Sequence, residues 1–303
     1  MQTATYDVAV IGGGAAGLSA ALVLGRARRR VAVVDGGAPR NAPAAHMHGF
    51  LSRDGLAPAE LLATGREEVQ AYGVELVADE AIEAGPGFVV RLSGGRTLTA
   101  RRLLLATGAV DELPAIPGAR ERWGRDFLHC PYCHGWEIRD QPIAVVGTVA
   151  GAAEHAHLLR QWSEDVIFFS HTHPATPDTR ASLAARGIQV IDGVVTRLTI
   201  EDDRLTGVRL DDGREYRRAA VFMRPTLTPR GTRLIESLGC EVDGGGFVVR
   251  ADPDGRTSVP GVWSAGNVGN PRAQVITAAG EGSAAAIAIN TDLVQEDARA
   301  LRR

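Results

Sequence analysis

The sequence predicts an α/β protein of two Rossmann-like domains, each a three-layer ββα stack, with the first domain interrupted by the second. Three stretches carry that expectation. YDVAVIGGGAAGLSAALVLGRARRRVAVVDGG, near the N-terminus, reads as strand, glycine turn, helix and a second strand ending in an acid. QPIAVVGTVAGAAEHAHLLRQW, residues 141–162, repeats the strand, turn and helix. VPGVWSAGNVGNPRAQVITAAGEGSAAAIAIN, residues 259–290, gives a short strand, a polar glycine-rich turn and a small-residue helix suited to close packing. A repeat of this kind indicates a second nucleotide-type domain inserted in the first.

Within the first stretch, Val8 to Ile11 form the apolar strand, and Gly12, Gly14 and Gly17 fit G-x-G-x-x-G. The first glycine permits a tight turn, the second lets backbone approach a pyrophosphate, and the third allows helix and strand to pack closely. The positive end of the following helix favours phosphate. Asp35 stands about twenty residues on, the distance expected for a carboxylate on a ribose hydroxyl. Arg40 and Asn41, just beyond it, are candidates for holding cofactor phosphate or sugar hydroxyl groups. LLLATGAV, residues 103–110, is a strand ending in Thr107 and Gly108, a sharp turn where a chain leaves one domain. In the C-terminal stretch Gly266 and Asn267 sit in the polar turn, and Arg272, Ala273, Gln274 and Val275 open the last helix, whose positive end suits an electron-rich ring edge.

Composition sets limits on partners. A chain of 303 residues supports two cores, and 45% hydrophobic residues with net charge -3 describe an ordinary globular protein without a nucleic-acid surface. There is no run of 18 apolar residues for a membrane span, and the N-terminus enters a strand without a secretory signal, so a cytoplasmic protein is expected. All basic residues are Arg; this carries no functional weight.

Only Cys130, Cys133 and Cys240 occur, and in a reducing compartment the close pair means catalysis or metal. CPYCHGWE, residues 130–137, fits a glutaredoxin, a haem-attachment site, a zinc knuckle or a flavin-linked disulfide enzyme. A glutaredoxin starts near its CxxC, whereas 129 residues precede this one. Haem attachment belongs to exported proteins. A zinc site lacks a fourth ligand at suitable spacing, so no metal is expected. Cys240 reads as a buried small hydrophobe.

The glycine turn, the ATG segment, the CxxC, the second strand–turn–helix and the AGN segment stand in the order of the low-molecular-weight thioredoxin reductases. The chain resembles that family over nearly its whole length. The resemblance implies FAD held by residues 1–117 and 245–303, a CxxC-bearing domain at residues 118–244, and a homodimer. It also implies that Cys133 faces the flavin, with access to its C4a position, while Cys130 exchanges with substrate. That division agrees with electron transfer from two thiols, which needs one sulfur on each side.

Two departures from the family redirect the function. The residue after the second cysteine is His134 rather than an acid, and an imidazole can take a proton from an incoming thiol. The second turn reads Gly147-Thr148-Val149-Ala150-Gly151-Ala152, with a branched side chain at Val149, and Ser170-His171-Thr172-His173-Pro174 supplies no Arg or Lys for a 2'-phosphate. NADPH binding is therefore expected to be weak or absent. The chain is similar in these features to the dithiol oxidases of gliotoxin and holomycin type, which carry C-P-x-C-H-G. That likeness implies a small-molecule dithiol substrate, O2 as acceptor and H2O2 as product. A reductase fed by NADPH or another donor, and a flavin-linked redox sensor, stay open as alternatives. Trp136, Phe50 and Met47 are candidates for an apolar substrate cleft, His46 and His48 for its rim. His155 and His157 are expected at the surface.

Overall fold

The computed structural model describes residues 4–301; residues 1–3 and 302–303 of the predicted flavin domain lie outside the described residues. The chain forms two compact units. The first takes residues up to Ala42, Pro58–Val110 and Leu227 onward, and the second takes Pro43–Ala57 and Asp111–Thr226.

In the first unit a seven-stranded sheet is built around Ala4–Ile11, which pairs in parallel with Val31–Val34 on one side and Thr97–Leu105 on the other. Glu75–Val77 extends the parallel part, and Val262–Ser264 joins Thr97–Leu105 in parallel. Val89–Leu92 and Ala81–Gly85 add an antiparallel edge. The central strand is apolar without alternation because both faces are covered. Val8 and Val10 pack among Leu24 of the helix Ala15–Arg26 and Ile289 of the helix Val275–Ala300, while Ala9 and Ile11 join Val90, Leu234 and Ile235. The two helices meet at Gly282, where a Cβ would lie 2.0 Å from the Ala16 carbonyl oxygen.

The second unit has a five-stranded parallel sheet in the order Gln189–Ile191, Val166–Phe169, Ile143–Val146, Ala220–Met223, Phe127–Leu128. Helices Ala152–Leu159 and Pro177–Ala185 cover one face through Ala156, Leu159 and Leu183. A three-stranded antiparallel sheet, Val195–Glu201, Arg204–Leu210 and Glu215–Arg217, covers the other through Leu198, Leu205 and Val208. This is the ββα layering expected.

The unit limits differ from the sequence boundaries at 117/118 and 244/245. Leu234, Ile235 and Cys240 are buried in the first unit's core, so the chain returns to it before residue 245. Ile116 and Ala119 belong to the second unit's core, which therefore begins earlier. The loop 43–57 also folds with the second unit: Met47 is buried there, and Gly124 packs on Pro43 so closely that a Cβ would lie 2.9 Å from its carbonyl oxygen. Among the described residues no helix is long and apolar enough to cross a membrane.

Candidate active site

The first glycine turn has the shape of a phosphate cradle. A Cβ on Gly12 would stand 2.1 Å from the Ala106 carbonyl oxygen, and one on Gly17 would stand 1.8 Å from the Gly12 carbonyl oxygen. Both positions admit glycine alone. Gly14, by contrast, faces open space as the N-cap of Ala15–Arg26, whose first turn has neither a side-chain cap nor an acid. Bare backbone donors, a clear approach and the positive helix end fit a pyrophosphate. Asp35 lies against this turn, its carboxylate 2.5 Å from where a Gly13 Cβ would be. One oxygen accepts from the Gly37 amide at 3.1 Å and the other from Arg66 at 3.0 Å. A carboxylate has lone pairs left for a ribose hydroxyl.

The remaining predicted cofactor residues of this unit fall in two turns. Thr107 donates its hydroxyl to the Arg230 carbonyl at 2.8 Å, and Gly108 follows at φ 77°, a left-handed conformation suited to glycine. Gly266 has φ 74°, and its amide donates to Glu281 at 2.8 Å; Glu281 also accepts from Asn270 at 2.6 Å. The Asn267 amide donates to the carbonyls of Asn270 and Ala273, both at 3.0 Å, and its oxygen receives Arg40 at 3.5 Å. Asn267 thus braces the turn that Arg40 borders, and Asn41 is half-buried beside Arg40. The last helix begins at Val275 with Gln274 as its N-cap, so Arg272 and Ala273 precede it rather than open it.

In the second unit Cys130 and Cys133 are disulfide-bonded, with Cα atoms 5.3 Å apart. Cys130 caps a four-residue helix, Pro131–His134, whose first position is proline, where a missing amide hydrogen costs nothing. Gly135 ends it against Trp162, whose ring atoms would meet a Cβ at 2.9 Å. Trp162 also meets Tyr132 edge-on at 5.5 Å. Tyr132 and Trp136 are exposed, and the Arg139 guanidinium lies 4.1 Å over the Trp136 ring. Phe50 is half-buried.

His134 is the last residue of the short helix. Burial pushes its imidazole below the ordinary value, Glu137 opposes that shift, and His48 adds to it. The ring is therefore neutral at neutral pH and able to accept a proton. His48 brings Glu137 into the arrangement: its Nε2 lies 3.4 Å from Glu137 and its Nδ1 3.3 Å from Asp54. His46 bonds instead to the Gly55 carbonyl at 3.0 Å.

The second glycine turn looks different. The left-handed residue is Gly151 at φ 77°, not Val149, so branching at Val149 imposes no strain, contrary to the expectation from the sequence. What stands in the turn is Arg224. Its guanidinium donates to the Gly151 carbonyl at 2.9 Å, while its own carbonyl accepts from Thr148 at 3.1 Å. His171 accepts from the Val195 amide at 3.0 Å, and Arg180 pairs with Asp192. His155 is buried rather than exposed, edge-on to Phe222 at 5.9 Å and to His129 at 6.2 Å. His157 is half-buried, with Nε2 3.0 Å from Ser182. Cys240 is buried as expected, and burial pushes its thiol up.

Sequence reasoning missed Arg66, Glu281, Arg224 and the Asp54–His48–Glu137 grouping. Of these, Glu137 carried a signal in its place in the CxxC segment, and His48 was singled out for the cleft without its carboxylate partners.

Comparison with known proteins places these features in context. The pyridine nucleotide-disulphide oxidoreductase pattern matches residues 6–282. The thioredoxin reductase sirT of Leptosphaeria maculans is 33% identical, the match covering 96% of this chain and 95% of that one. The crystal structure of HlmI superposes with a TM-score of 0.94 at 56% identity, over 98% of this chain and 95% of that one. An oxidoreductase from Agrobacterium tumefaciens gives 0.90 at 39% identity, over 96% and 99%.

Proposed function

Because the chain belongs to the pyridine nucleotide-disulphide oxidoreductase family, as a thioredoxin reductase-like FAD oxidoreductase acting on sulfur groups, we propose that it is a dithiol oxidase closing a disulfide in a small molecule at the expense of O2. The observation that carries this reading is the contrast between the two glycine turns. The first is open at Gly14; the second is tied to Arg224. An enzyme with one free cradle holds its flavin and draws electrons from the thiol side.

The cofactor fits the residues of the first unit. Gly12, Gly14 and Gly17 would cradle the pyrophosphate, Asp35 a ribose hydroxyl, and Arg40, Asn41, Thr107, Gly108, Gly266, Asn267, Gln274 and Val275 the rest of the site. Bound FAD supplies a two-electron acceptor that O2 can reoxidise.

The thiol chemistry belongs to the second unit. His134 takes the proton of one substrate thiol, and the thiolate attacks the Cys130 sulfur, breaking the Cys130–Cys133 bond. Cys133 leaves as thiolate. The second substrate thiol attacks the mixed disulfide, forms the product disulfide and releases Cys130. The pair then holds the two electrons taken from the dithiol, for which bound FAD would be the acceptor, and the overall balance would be dithiol plus O2 to disulfide plus H2O2. The acting form is proposed to be a homodimer.

The test is a purified holoenzyme given a small dithiol in air without NADPH, with thiol, O2 and H2O2 followed together. Equal consumption of dithiol and O2, with matching H2O2, is expected. Rapid flavin bleaching by NADPH under nitrogen, with no dithiol-dependent O2 uptake, would make it a reductase.

A further inference from the structure

Asp35 puts a carboxylate at the edge of the turn that would cradle a pyrophosphate, so the site sets one anion against another. Of its two oxygens, Oδ2 is the nearer to the turn, 2.5 Å from where a Gly13 Cβ would lie. That same oxygen accepts from the Arg66 guanidinium at 3.0 Å, while Oδ1 accepts from the Gly37 amide at 3.1 Å. Arg66 comes from the helix Pro58–Ala71, and all four residues lie in the first unit. The Arg66 and Asp35 side chains are 36% and 25% exposed. An ion pair this open to water adds little to the stability of a fold. Next to a second anion its effect is different. A bare carboxylate repels a neighbouring phosphate, whereas a carboxylate paired with a cation presents no net charge to it. A guanidinium keeps its charge across the working pH range, so the pairing does not wait on titration.

We propose that Arg66 is a positioning residue for FAD: it pairs the Asp35 oxygen nearest Gly13, masking that charge from the pyrophosphate, and with the Gly37 amide it fixes the plane of the carboxylate that receives the ribose hydroxyl. The inference rests on the flavin reading of the first glycine turn and deepens it. Arg66 acts through Asp35, and the dithiol chemistry of the second unit plays no part. Two properties separate this role from support of the fold. The effect of Arg66 depends on the presence of the Asp35 charge, and it weakens as salt screens charge.

The experiment measures how fast the diluted holoenzyme releases FAD, followed by the rise in flavin fluorescence. Arg66→Met removes the charge and keeps much of the stem, while Arg66→Lys keeps the charge. At low salt Arg66→Met should release FAD on the order of tenfold faster than the wild type, the scale of one charge interaction near a protein surface. Arg66→Lys should stay much closer to the wild type. In the Asp35→Asn background, Arg66→Met should change the rate by less than about twofold, because the charge to be masked is gone. In about 1 M salt, where the Debye length is about 3 Å, the tenfold difference should shrink. Thermal melting reports folding, and Arg66→Gln replaces the Met variant should that one not fold. The role is overturned if the uncharged variant holds FAD as the wild type does, if it costs as much in the Asp35→Asn background as in the wild type, or if its effect is indifferent to salt. A wild type without bound FAD, seen in its absorption spectrum, would sink the flavin reading and the inference together; the variant outcomes bear on Arg66 alone.

Discussion

The two glycine turns of this chain begin from one pattern, a buried apolar strand followed by a glycine bend and a helix, and diverge in what fills the bend. At Gly14 the bend is vacant of side chains and the helix end has no protein cap. At Gly151 a guanidinium from the end of the neighbouring strand Ala220–Met223 takes the carbonyl. The two units thus share a strand–turn–helix frame and differ in the hydrogen bonding of the turn.

The hardest break of this comparison leaves both turns intact and removes the chemistry. Cys130→Ser and Cys133→Ser should keep the flavin spectrum and lower dithiol oxidation on the order of 10³-fold or more, since no other thiol of the chain is accessible. Stopped-flow reduction of the bound flavin by dithiol under nitrogen checks this. A variant that still reduces the flavin at near the wild-type rate would move the electron path away from the pair.

His134→Gln should cost about 10²-fold in kcat, the usual contribution of a positioned general base. The pH dependence gives the sign. His134 must be neutral to accept a proton, and burial lowers its pKa. Activity is therefore retained through the pH range where an ordinary histidine becomes charged, and falls at more acid pH. The acid limb of kcat/KM should disappear in His134→Gln.

The two turns themselves are compared by paired substitutions. Gly17→Ala places a methyl group 1.8 Å from the Gly12 carbonyl oxygen, an overlap only backbone movement relieves. Overpacking of this kind costs about 1–3 kcal/mol, so FAD affinity should fall roughly tenfold or more. Arg224→Ala in the second turn should leave FAD content unchanged. If instead it allows NADPH to bleach the flavin, Arg224 is what closes the second cradle.

Legibility in the sequence followed distance along the chain. The central strands were readable because burial on both faces leaves an unbroken apolar run, as in Val31–Val34 and Ile143–Val146. The CxxC and the first cradle were readable because their residues are contiguous. The charge environment of His134 was not, because His48 and Asp54 arrive from a loop some eighty residues earlier and are placed by tertiary folding. Arg224 escaped for the same reason: the cation for the second turn comes from another strand. His155 is a different case. The spacing of Ala152, His155, Ala156 and Leu159 puts it on the apolar face of its helix, a signal that the neighbouring polar residues hid.

That buried histidine yields the smallest of the expected effects, and it distinguishes the second helix from the first, which buries Ala16, Gly17 and Leu18 near its start instead. Burial, with the nearby His129 and Arg224, lowers the His155 pKa to about 3. The unfolded chain binds that proton near pH 6.5. Between those limits the unfolded state binds more protons, so the stability contributed by neutral His155 is present above pH 6.5 and is lost as pH falls toward 3. From pH 7 to pH 5 the loss is about 2 kcal/mol. Thermal unfolding at the two pH values should show a smaller drop for His155→Leu than for the wild type, while the same substitution leaves FAD content untouched. An equal drop in both proteins would mean that the acid sensitivity lies outside the second glycine-turn helix.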